Sequence, residues 1–219
     1  MTMKIRLKLL SDATFGRGDG VAGLVDAEVE HDEYGMPYLR GRTLKGLLLE
    51  EATHILFALG KAGRGSRWEA AAQQLFGTSG GLLHTGESIL HIGDARLPED
   101  LREVIIADVQ ASYYTPTEVL EALTTIRAQT AMEPSGVPAK GSLRAMRVLL
   151  RGTVLEAEVH AERPLSDEEQ AFLAACVKAL RRAGTGRNRG RGRLEATLWK
   201  DGEAITDRAF AYFEQEVLQ

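Results

Sequence analysis

The segment GTVLEAEVHAERPLSDEEQAFLAACVKALRRAGTGRNRGRGRLEATLW, from Gly152 to Trp199, decides the predicted fold. Apolar and polar side chains alternate over residues 152–161, which is typical of a strand with one buried face. Ser166 and Glu169 form a capping box that predicts the start of a helix, and an apolar stripe follows at helical spacing. A glycine- and arginine-rich loop and a second strand, from Arg193 to Trp199, complete the segment. The segment therefore predicts one β-α-β unit.

The N-terminal part of the chain predicts a second unit of the same kind. Alternation predicts a strand from Met3 to Leu10, and leucines at helical spacing predict a helix from Thr43 to Leu59. A second helical segment is predicted from Trp68 to Phe76 and a strand from Glu87 to Leu97. Two strand-helix-strand units in succession are the ferredoxin-like order. We therefore predict an α+β protein with a ferredoxin-like (RRM-like) domain and helical decorations, one of them a final helix after Asp207.

Residues 113–152 interrupt this order. They mix turn residues with polar and apolar ones, and Pro134-Ser135-Gly136-Val137-Pro138 fits no regular element. We interpret the stretch as an inserted excursion, partly a hairpin, that projects from the domain. The sequence has no linker and no repeat of fixed period, so the whole chain, 1–219, is interpreted as one domain.

The composition is that of an ordinary globular protein, with 44% apolar and 26% charged residues. The single cysteine, Cys176, excludes an internal disulfide, and no Cys-x-x-Cys pair is present to hold zinc. No secretory signal is recognisable and no apolar run approaches the roughly 20 residues of a membrane span, so we expect a cytoplasmic protein without a membrane partner. The net charge of −4 argues against a uniformly basic nucleic-acid binder, but arginines crowd residues 181–193.

The Gly-Arg loop, residues 184–193, is the first candidate binding site. Its four glycines let the backbone approach a ligand closely, and its four arginines offer planar forks that match phosphate oxygens. Such a loop can follow a nucleic-acid backbone without selecting a base sequence. The alternative is a flexible, solvated turn. The residues predicted here to bind a nucleic-acid backbone are Gly186, Arg187, Arg189, Gly190 and Arg191.

The second candidate lies where the helix predicted to begin at Thr43 starts. Free amides and the helix dipole attract anions at a helix N-terminus, and Arg42, Thr43, Lys45 and Gly46 add donors or backbone access there. Cations in a first helical turn oppose the dipole, and this local cost favours a bound anion. An ordinary helix start capped by threonine is the alternative.

The segment GMPYLRGRTLKG, residues 35–46, resembles the hallmark segment of the RAMP superfamily, which usually has the sequence Pro-Gly-small-small-Leu-Lys-Gly before a helix. These are repeat-associated CRISPR proteins with ferredoxin-like domains. The Gly-Arg loop resembles their C-terminal glycine-rich loop. The two motifs lie about as far apart as the family places them, so the resemblance spans nearly the whole chain. One departure is Arg40, where the family usually has proline.

Within this superfamily the chain is most similar to the repeated backbone subunit of type III (Csm- or Cmr-like) effector complexes, which coats the guide RNA. The resemblance implies guide (CRISPR) RNA and target RNA as partners. It also implies contact with neighbouring copies of itself or related RAMP subunits, and with the large polymerase-like and small helical subunits. The backbone subunit carries a cleavage aspartate in the loop after its first strand, and Gly23-Leu24-Val25-Asp26 matches that placement.

Asp26 is therefore the predicted catalytic residue for metal-dependent cleavage of target RNA, with Mg²⁺ or Mn²⁺ as the implied cofactor. Its carboxylate would position the cation or help to activate the ribose 2′-hydroxyl. The alternative is an ordinary solvated acid, because Asp26 lies in an acidic run with Glu28, Glu30, Asp32 and Glu33.

The excursion also has a counterpart in the family, a hairpin or thumb that wedges between guide and target. Ile126, Arg127, Met132 and Val137 lie where apolar and basic contacts to nucleic acid are expected, because an apolar side chain can wedge between bases. A loop that covers one edge of the core is the alternative.

Two other functions stay open beside target cleavage. One is a structural subunit with the same fold and the same RNA contacts but no cutting. The other is a guide-processing RAMP endonuclease, which would use a histidine and no metal. Other enzyme classes are excluded by missing motifs: the chain has no Gly-x-Gly-x-x-Gly, no Walker sequence, no Gly-x-Ser-x-Gly elbow and no His-Glu-x-x-His.

Overall fold

A computed structural model describes residues 2–77, 88–131, 133–137 and 139–218. Strands and helices alternate in blocks along these residues. In chain order they are β1 (Met3–Leu9), α1 (Gly41–Lys61), α2 (Ser66–Phe76), β2 (Leu90–Ile92), α3 (Glu99–Gln110), α4 (Pro116–Leu123), β3 (Thr124–Gln129), β4 (Arg144–Leu149), β5 (Val154–Ala161), α5 (Asp167–Ala179), β6 (Leu194–Lys200), β7 (Glu203–Ala204) and α6 (Thr206–Leu218).

Five strands form one antiparallel sheet in the order β2-β5-β1-β6-β7. The first unit is β1-α1-β2 and the second is β5-α5-β6, and the strands of each unit lie apart with a strand of the other unit between them. This interleaving of two split β-α-β units defines the ferredoxin-like fold. The predicted α+β, ferredoxin-like class is confirmed.

The sheet buries one face against helices because its strands alternate. Ile5 and Leu7 of β1 and Leu155 of β5 are buried, and Phe172 of α5 packs into the same core. The indole of Trp68 on α2 stacks on the Phe172 ring at 6.1 Å between centroids. The opposite face of the sheet carries charges of both signs, including the pair formed by Lys4 and Glu156 at 3.0 Å.

Several element boundaries differ from the predicted ones for local reasons. Helix α1 begins at Gly41, two residues before Thr43, because Asp94 accepts a hydrogen bond from the Gly41 N–H at 2.9 Å. The strand predicted from Glu87 to Leu97 is shorter in the structure, where it is β2. The backbone leaves the ladder to β5 after Gly93, so that Asp94 reaches the helix end, and pairs with β5 again only at the bridge between Arg96 and Glu156. Glu87 lies outside the described residues.

The predicted excursion, residues 113–152, contains α4 and the β3–β4 hairpin, which forms a separate two-stranded sheet. Thr115 and Glu118 form a capping box at the start of α4, with Pro116 in the first turn. On its other edge β4 is bridged by Ala13 and Ala27, so the segment between β1 and α1 lies alongside this two-stranded sheet. We call the paired strands β3 and β4 the hairpin base, to distinguish them from the connection between them. The hairpin prediction is therefore confirmed, and helix α4 is an element that the sequence prediction missed.

The helices of the described residues include none that is long and apolar enough to cross a lipid bilayer.

Candidate nucleic-acid interface

The start of α1 is held by the end of β2 and the turn after it. The N-cap residue, Arg40, makes no side-chain cap, and the Asp94 carboxylate takes over that role at Gly41. Burial alone would raise the pKa of Asp94, but hydrogen bonds from the Gly41 N–H and from Arg96 outweigh it and lower the pKa. A Cβ on Gly41 would lie 2.2 Å from the Ile92 carbonyl oxygen, so glycine is required for this close approach.

The Gly-Arg loop is a shaped turn whose ends are fixed by two glycines. A Cβ on Gly184, at φ +89°, would lie 2.5 Å from the Thr14 carbonyl oxygen. A Cβ on Gly192, at φ +65°, would lie 1.8 Å from the Ala183 carbonyl oxygen. The loop therefore packs backbone against backbone at both ends, and the mobile-turn alternative does not describe it. Helix α5 ends before this loop, with Leu180 as its C-cap.

Between those ends the loop presents its arginines on one turn of 3-10 helix, Arg187–Arg189. Gly186 and Gly190 flank this turn, both in the left-handed region with φ +75° and +84°. A Cβ on Gly190 would meet nothing within 4 Å, so this glycine serves the turn conformation and not a close contact.

The Gly-Arg loop and the first turns of α1 line one cleft of about 630 Å³, here called the loop–helix cleft. Thr43, Gly46 and Glu50 lie on one side of it and Thr185 and Arg187 on the other. A third wall comes from the segment after β1, which contributes Thr14, Phe15, Gly16, Arg17 and Gly18. Two segments separated by well over one hundred residues of sequence, each predicted to bind RNA, therefore lie on the same cleft.

Carboxylates from the same chain neutralise the arginines at this cleft. Arg187 donates two hydrogen bonds to Glu50, both at 2.9 Å. Arg40 lies 2.6 Å from Glu30, whose other oxygen accepts a hydrogen bond from the Tyr38 hydroxyl at 3.2 Å. Burial, followed by the charge of Glu30, raises the pKa of Tyr38. A phosphate entering the cleft must therefore replace a carboxylate as the partner of Arg187.

Arg42 and Lys45 of the α1 motif have different surroundings. Arg42 is exposed and forms no ion pair within the described part of the chain. The Lys45 ammonium donates hydrogen bonds to Ser88 Oγ at 2.6 Å and to the Leu90 carbonyl oxygen at 2.7 Å, and Lys45 does not line the loop–helix cleft. Burial lowers the pKa of Lys45. Its contacts join α1 to β2.

A second cleft, of about 440 Å³, lies between the Gly-Arg loop and the base of the hairpin, and we call it the loop–hairpin cleft. Arg189 and Arg191 line it, opposite Gln129 of β3 and Met146 of β4, and the Arg191 guanidinium contacts the Met146 sulfur. Gly184, Thr185 and Arg187 line both clefts, so the two clefts adjoin at the Gly-Arg loop.

Asp26 lies at the base of the hairpin. Its backbone N–H donates to the Ala145 carbonyl oxygen at 2.8 Å, and its carboxylate accepts the Ala145 N–H at 2.7 Å. The second carboxylate oxygen lies 3.7 Å from an Arg144 nitrogen, and the side chain is 49% exposed. Asp26 is therefore joined to β4 on one side and open to solvent on the other.

The acidic run around Asp26 is not uniformly solvated. Glu28 and Glu30 are buried, and Glu28 accepts two hydrogen bonds from Arg147 Nε, at 2.8 and 3.1 Å. The described residues contain no group of three or more His, Cys, Asp or Glu side chains that could hold a metal ion. Asp26 can offer one carboxylate oxygen to a divalent cation. This fits the way Mg²⁺ is bound through one or two carboxylates, with waters and substrate phosphates completing its shell.

The predicted thumb residues lie on the hairpin or outside the described residues. Ile126 and Arg127 are on β3, where Ile126 is exposed and Arg127 Nε donates to Asp12 at 3.0 Å. Val137 lies in the connection between β3 and β4 and is exposed. Met132 lies outside the described residues. Exposed apolar side chains on the hairpin are compatible with the wedge prediction, which stays a prediction.

Sequence reasoning missed the wall formed by residues 14–18 and the two carboxylates that neutralise the cleft arginines. The segment after β1 carried a signal, since Gly16, Gly18 and Gly20 beside Arg17 repeat the composition of the Gly-Arg loop. The sequence around Glu50 gave no such signal, because Glu50 resembles any acid on a helix surface and its partner, Arg187, is distant in sequence.

Comparison with known proteins supports the class of this fold and site. The RAMP superfamily model matches residues 6–195, so the chain belongs to the RAMP superfamily. No curated protein sequence matches the chain.

Two solved structures have the same fold over nearly the whole chain. A chain of the Type III-B Cmr-beta complex in its apo state, determined by cryo-EM, superposes with a TM-score of 0.62 and 12% identity, covering 92% of this chain and 98% of that chain. A chain of the Type III-B Cmr-beta complex bound to cognate target RNA gives a TM-score of 0.63 and 11% identity, covering 96% and 99%.

Proposed function

We propose that this chain is a backbone subunit of a type III CRISPR ribonucleoprotein that binds guide RNA along the groove formed by the loop–helix and loop–hairpin clefts. One observation carries the proposal: the Gly-Arg loop and the first turns of α1 line the same cleft. Membership of the RAMP superfamily and the fold shared with Cmr-beta chains support it. Its proposed partners are guide and target RNA, neighbouring RAMP subunits or further copies of itself, and the large and small subunits of such a complex.

The groove has the chemistry of a phosphate-binding surface. Arg187, Arg189 and Arg191 bring planar forks to the loop–hairpin cleft, and guanidinium groups bind phosphate through paired hydrogen bonds. In the loop–helix cleft the exposed Thr43 and Gly46 place a hydroxyl and an accessible backbone near Arg187. Contacts of this kind fix the RNA backbone and leave the base edges free, as pairing between guide and target requires.

The test is a titration of the purified chain against labelled single-stranded RNA over a range of salt concentrations. Arg187→Ala with Arg189→Ala should weaken binding and reduce the slope of log K against log salt. Each lost phosphate contact on a single strand changes that slope by roughly 0.7, so the double variant should lower it by about 1.4.

Lys61→Ala is the matched control, because Lys61 is an exposed cation at the opposite end of α1, roughly 30 Å from Gly41 by helix length. It should leave both the affinity and the slope unchanged. RNA binding that is equally insensitive to the double arginine variant would contradict the proposal.

A second proposed function is cleavage of the target RNA by Asp26, favoured by its exposed carboxylate at the hairpin base. The Ala145 N–H orients this carboxylate, and the neighbouring Arg144 guanidinium can stabilise charge on a scissile phosphate. A bound Mg²⁺ or Mn²⁺ would add charge stabilisation at the same phosphate. The alternative within this class is a scaffold subunit in which Asp26 only anchors the segment to β4.

This second function is tested on the assembled complex with guide and labelled complementary RNA. Asp26→Asn keeps an acceptor for the Ala145 N–H but removes the charge, so target binding should survive while cleavage falls by orders of magnitude. Asp19→Asn, in the same segment, is the control and should cut normally. Equal cutting by the Asp26 variant, or cutting unaffected by a chelator, would end the proposal of Asp26-dependent, metal-assisted cleavage.

A further inference from the structure

A third cleft, of about 700 Å³, lies on the outer edge of β6, behind the Gly-Arg loop. We call it the β6-edge cleft. Leu194 and Ala196 of β6 form its inner side, Arg181 closes one end and Thr206 the other. Gly190 and Arg193 of the Gly-Arg loop also line it, whereas Arg187, Arg189 and Arg191, the arginines of the proposed RNA contacts, do not.

The edge of β6 is unpaired in the middle of the strand. The Leu10 N–H donates a hydrogen bond to the Arg193 carbonyl oxygen, so Arg193 directs its backbone groups toward the β1 side. Because hydrogen bonding alternates along an antiparallel pair, Glu195 and Thr197 also direct their N–H and C=O groups toward β1. Ala196 therefore directs its N–H and C=O to the outer edge. Strand β7 pairs only with Trp199 and Lys200.

The neighbours of Ala196 on that edge already have partners. The Leu194 N–H donates to the Arg181 carbonyl oxygen at 3.0 Å, and the Leu198 N–H donates to Thr206 Oγ1 at 2.7 Å. The free length between Leu194 and Leu198 is about 13 Å at the rise of a β-strand. One extended segment of about four residues fits this length.

The charge of the β6-edge cleft differs from that of the loop–helix cleft. Lys178, Arg181, Arg182 and Arg193 line it against only Glu195 and Asp207, an excess of two cations. Lys178 pairs with Asp207 at 2.6 Å, whereas none of the three arginines forms an ion pair within the described residues. The exposed Leu10 adds an apolar contact.

We propose that the β6-edge cleft binds an extended acidic segment of a partner protein, which adds to β6 as a short strand. The backbone N–H and C=O of Ala196 pair with this segment, as in other cases of strand addition. Acidic side chains at one end of the segment meet Arg181, Arg182 and Arg193. A peptide is favoured over RNA because its N–H and C=O groups recur at the spacing of a β-strand and so match the N–H and C=O of Ala196.

The experiment measures binding of a fluorescein-labelled peptide, Glu-Glu-Asp-Val-Ala-Val-Thr-Thr, to the full chain by fluorescence anisotropy. A second peptide of the same sequence carries N-methyl groups on its central residues, so it keeps the charge but cannot pair as a strand. We expect the first peptide to bind and the methylated peptide to bind at least about tenfold more weakly. The reason is that strand addition derives its affinity from main-chain hydrogen bonds.

The double variant Arg181→Glu, Arg193→Glu should lower the affinity for the first peptide by about tenfold or more, because acidic side chains of the protein and the peptide then face each other. Lys61→Glu is the control and should have no effect. Both arginines are exposed, so the variant should fold, which its thermal unfolding curve verifies.

Three outcomes would overturn the proposal. Absence of peptide binding at millimolar concentration would show that the edge is closed. Equal binding of the methylated peptide would reduce the site to a nonspecific cationic patch. Displacement of the peptide by single-stranded RNA, with loss of RNA affinity in the Arg181 and Arg193 variant, would assign the surface to RNA. None of these results bears on the RNA test at Arg187 and Arg189, which stands separately.

Discussion

The hairpin base and the loop–helix cleft each contain an arginine bonded twice to a glutamate, but the two pairs differ in their exposure to water. At the hairpin base the side chains of Arg147 and Glu28 are 7% and 2% exposed. At the cleft the side chains of Arg187 and Glu50 are 36% and 41% exposed. Both pairs join segments more than one hundred residues apart.

This difference assigns the two pairs different roles. A buried charge cannot lose its partner without a large desolvation penalty, so the Arg147–Glu28 pair holds β4 against the segment that carries Asp26. A half-exposed pair is solvated when it opens, so Arg187 can exchange Glu50 for a phosphate at small cost. The buried pair shapes the site, and the exposed pair lowers the positive charge of the cleft that we propose to bind RNA.

The largest expected effect follows from breaking the buried pair. Glu28→Gln leaves Arg147 charged and without its carboxylate, and removal of one partner of a buried pair costs roughly 3–5 kcal/mol. Urea unfolding at neutral pH should report this loss. The effect should also reach Asp26, since Ala27 and Asp26 bond to β4 beside Arg147.

The control is Glu33→Gln, an exposed acid of the same run, which should change the free energy of unfolding by less than about 0.5 kcal/mol. The double variant Glu28→Gln, Arg147→Met should lose less free energy of unfolding than the two single variants lose together, because neither buried charge is then left without a partner. Equal stability of the two single glutamine variants would mean that the Glu28 pair does not hold the hairpin base.

The parts of the fold that could be predicted from sequence are those with local signals. The Ser166–Glu169 capping box and the alternation in β1, β5 and β6 depend on residues a few positions apart. Thr115 and Glu118 gave the same signal for α4, but the prolines and glycine of residues 134–138 dominated the interpretation of that stretch. The two binding motifs were likewise local, since glycine spacing and arginine content are visible without a structure.

The remainder depends on partners that are distant in sequence. Glu28 was grouped with solvated acids, yet it is buried and paired with Arg147. The two residues are 119 positions apart, so the sequence around Glu28 does not reveal the pair. Lys45 was predicted to contact RNA, and its hydrogen bonds to Ser88 and Leu90 also join residues distant in sequence, 43 and 45 positions apart. Pairing of this kind follows from the assembled sheet and leaves no pattern in either segment alone.

A smaller effect is expected from opening the exposed pair. Glu50→Gln removes the charge that competes for Arg187, so single-stranded RNA should bind more tightly. A half-exposed ion pair contributes up to about 1 kcal/mol, which corresponds to at most roughly a fivefold gain in affinity. Fluorescence anisotropy at low salt measures the change, and added salt should diminish it.

Glu103→Gln serves as the comparison, because Glu103 is an exposed acid on α3 that lines neither cleft. It removes the same charge and should change RNA affinity by much less. If RNA affinity rises equally in both variants, the effect is one of net charge and Glu50 has no specific role at the cleft. If Glu50→Gln weakens binding, the Glu50 contact positions Arg187 and does not compete for it.

The smallest effect concerns Asp94, whose exposure is intermediate between those of the two glutamates. Asp94→Asn keeps an acceptor for the Gly41 N–H but loses the charge at the helix start and at Arg96, so a loss of about 0.3–0.5 kcal/mol is expected. Because the folded-state pKa of Asp94 is lowered, its stabilising contribution is present above the ordinary value of 3.8 and is lost as the pH falls through the folded-state value. The difference between wild type and variant in urea unfolding should therefore be constant from pH 7 to about 5 and shrink below about 4. A difference that grows on acidification would mean that the protonated carboxyl, and not the carboxylate, holds the start of α1.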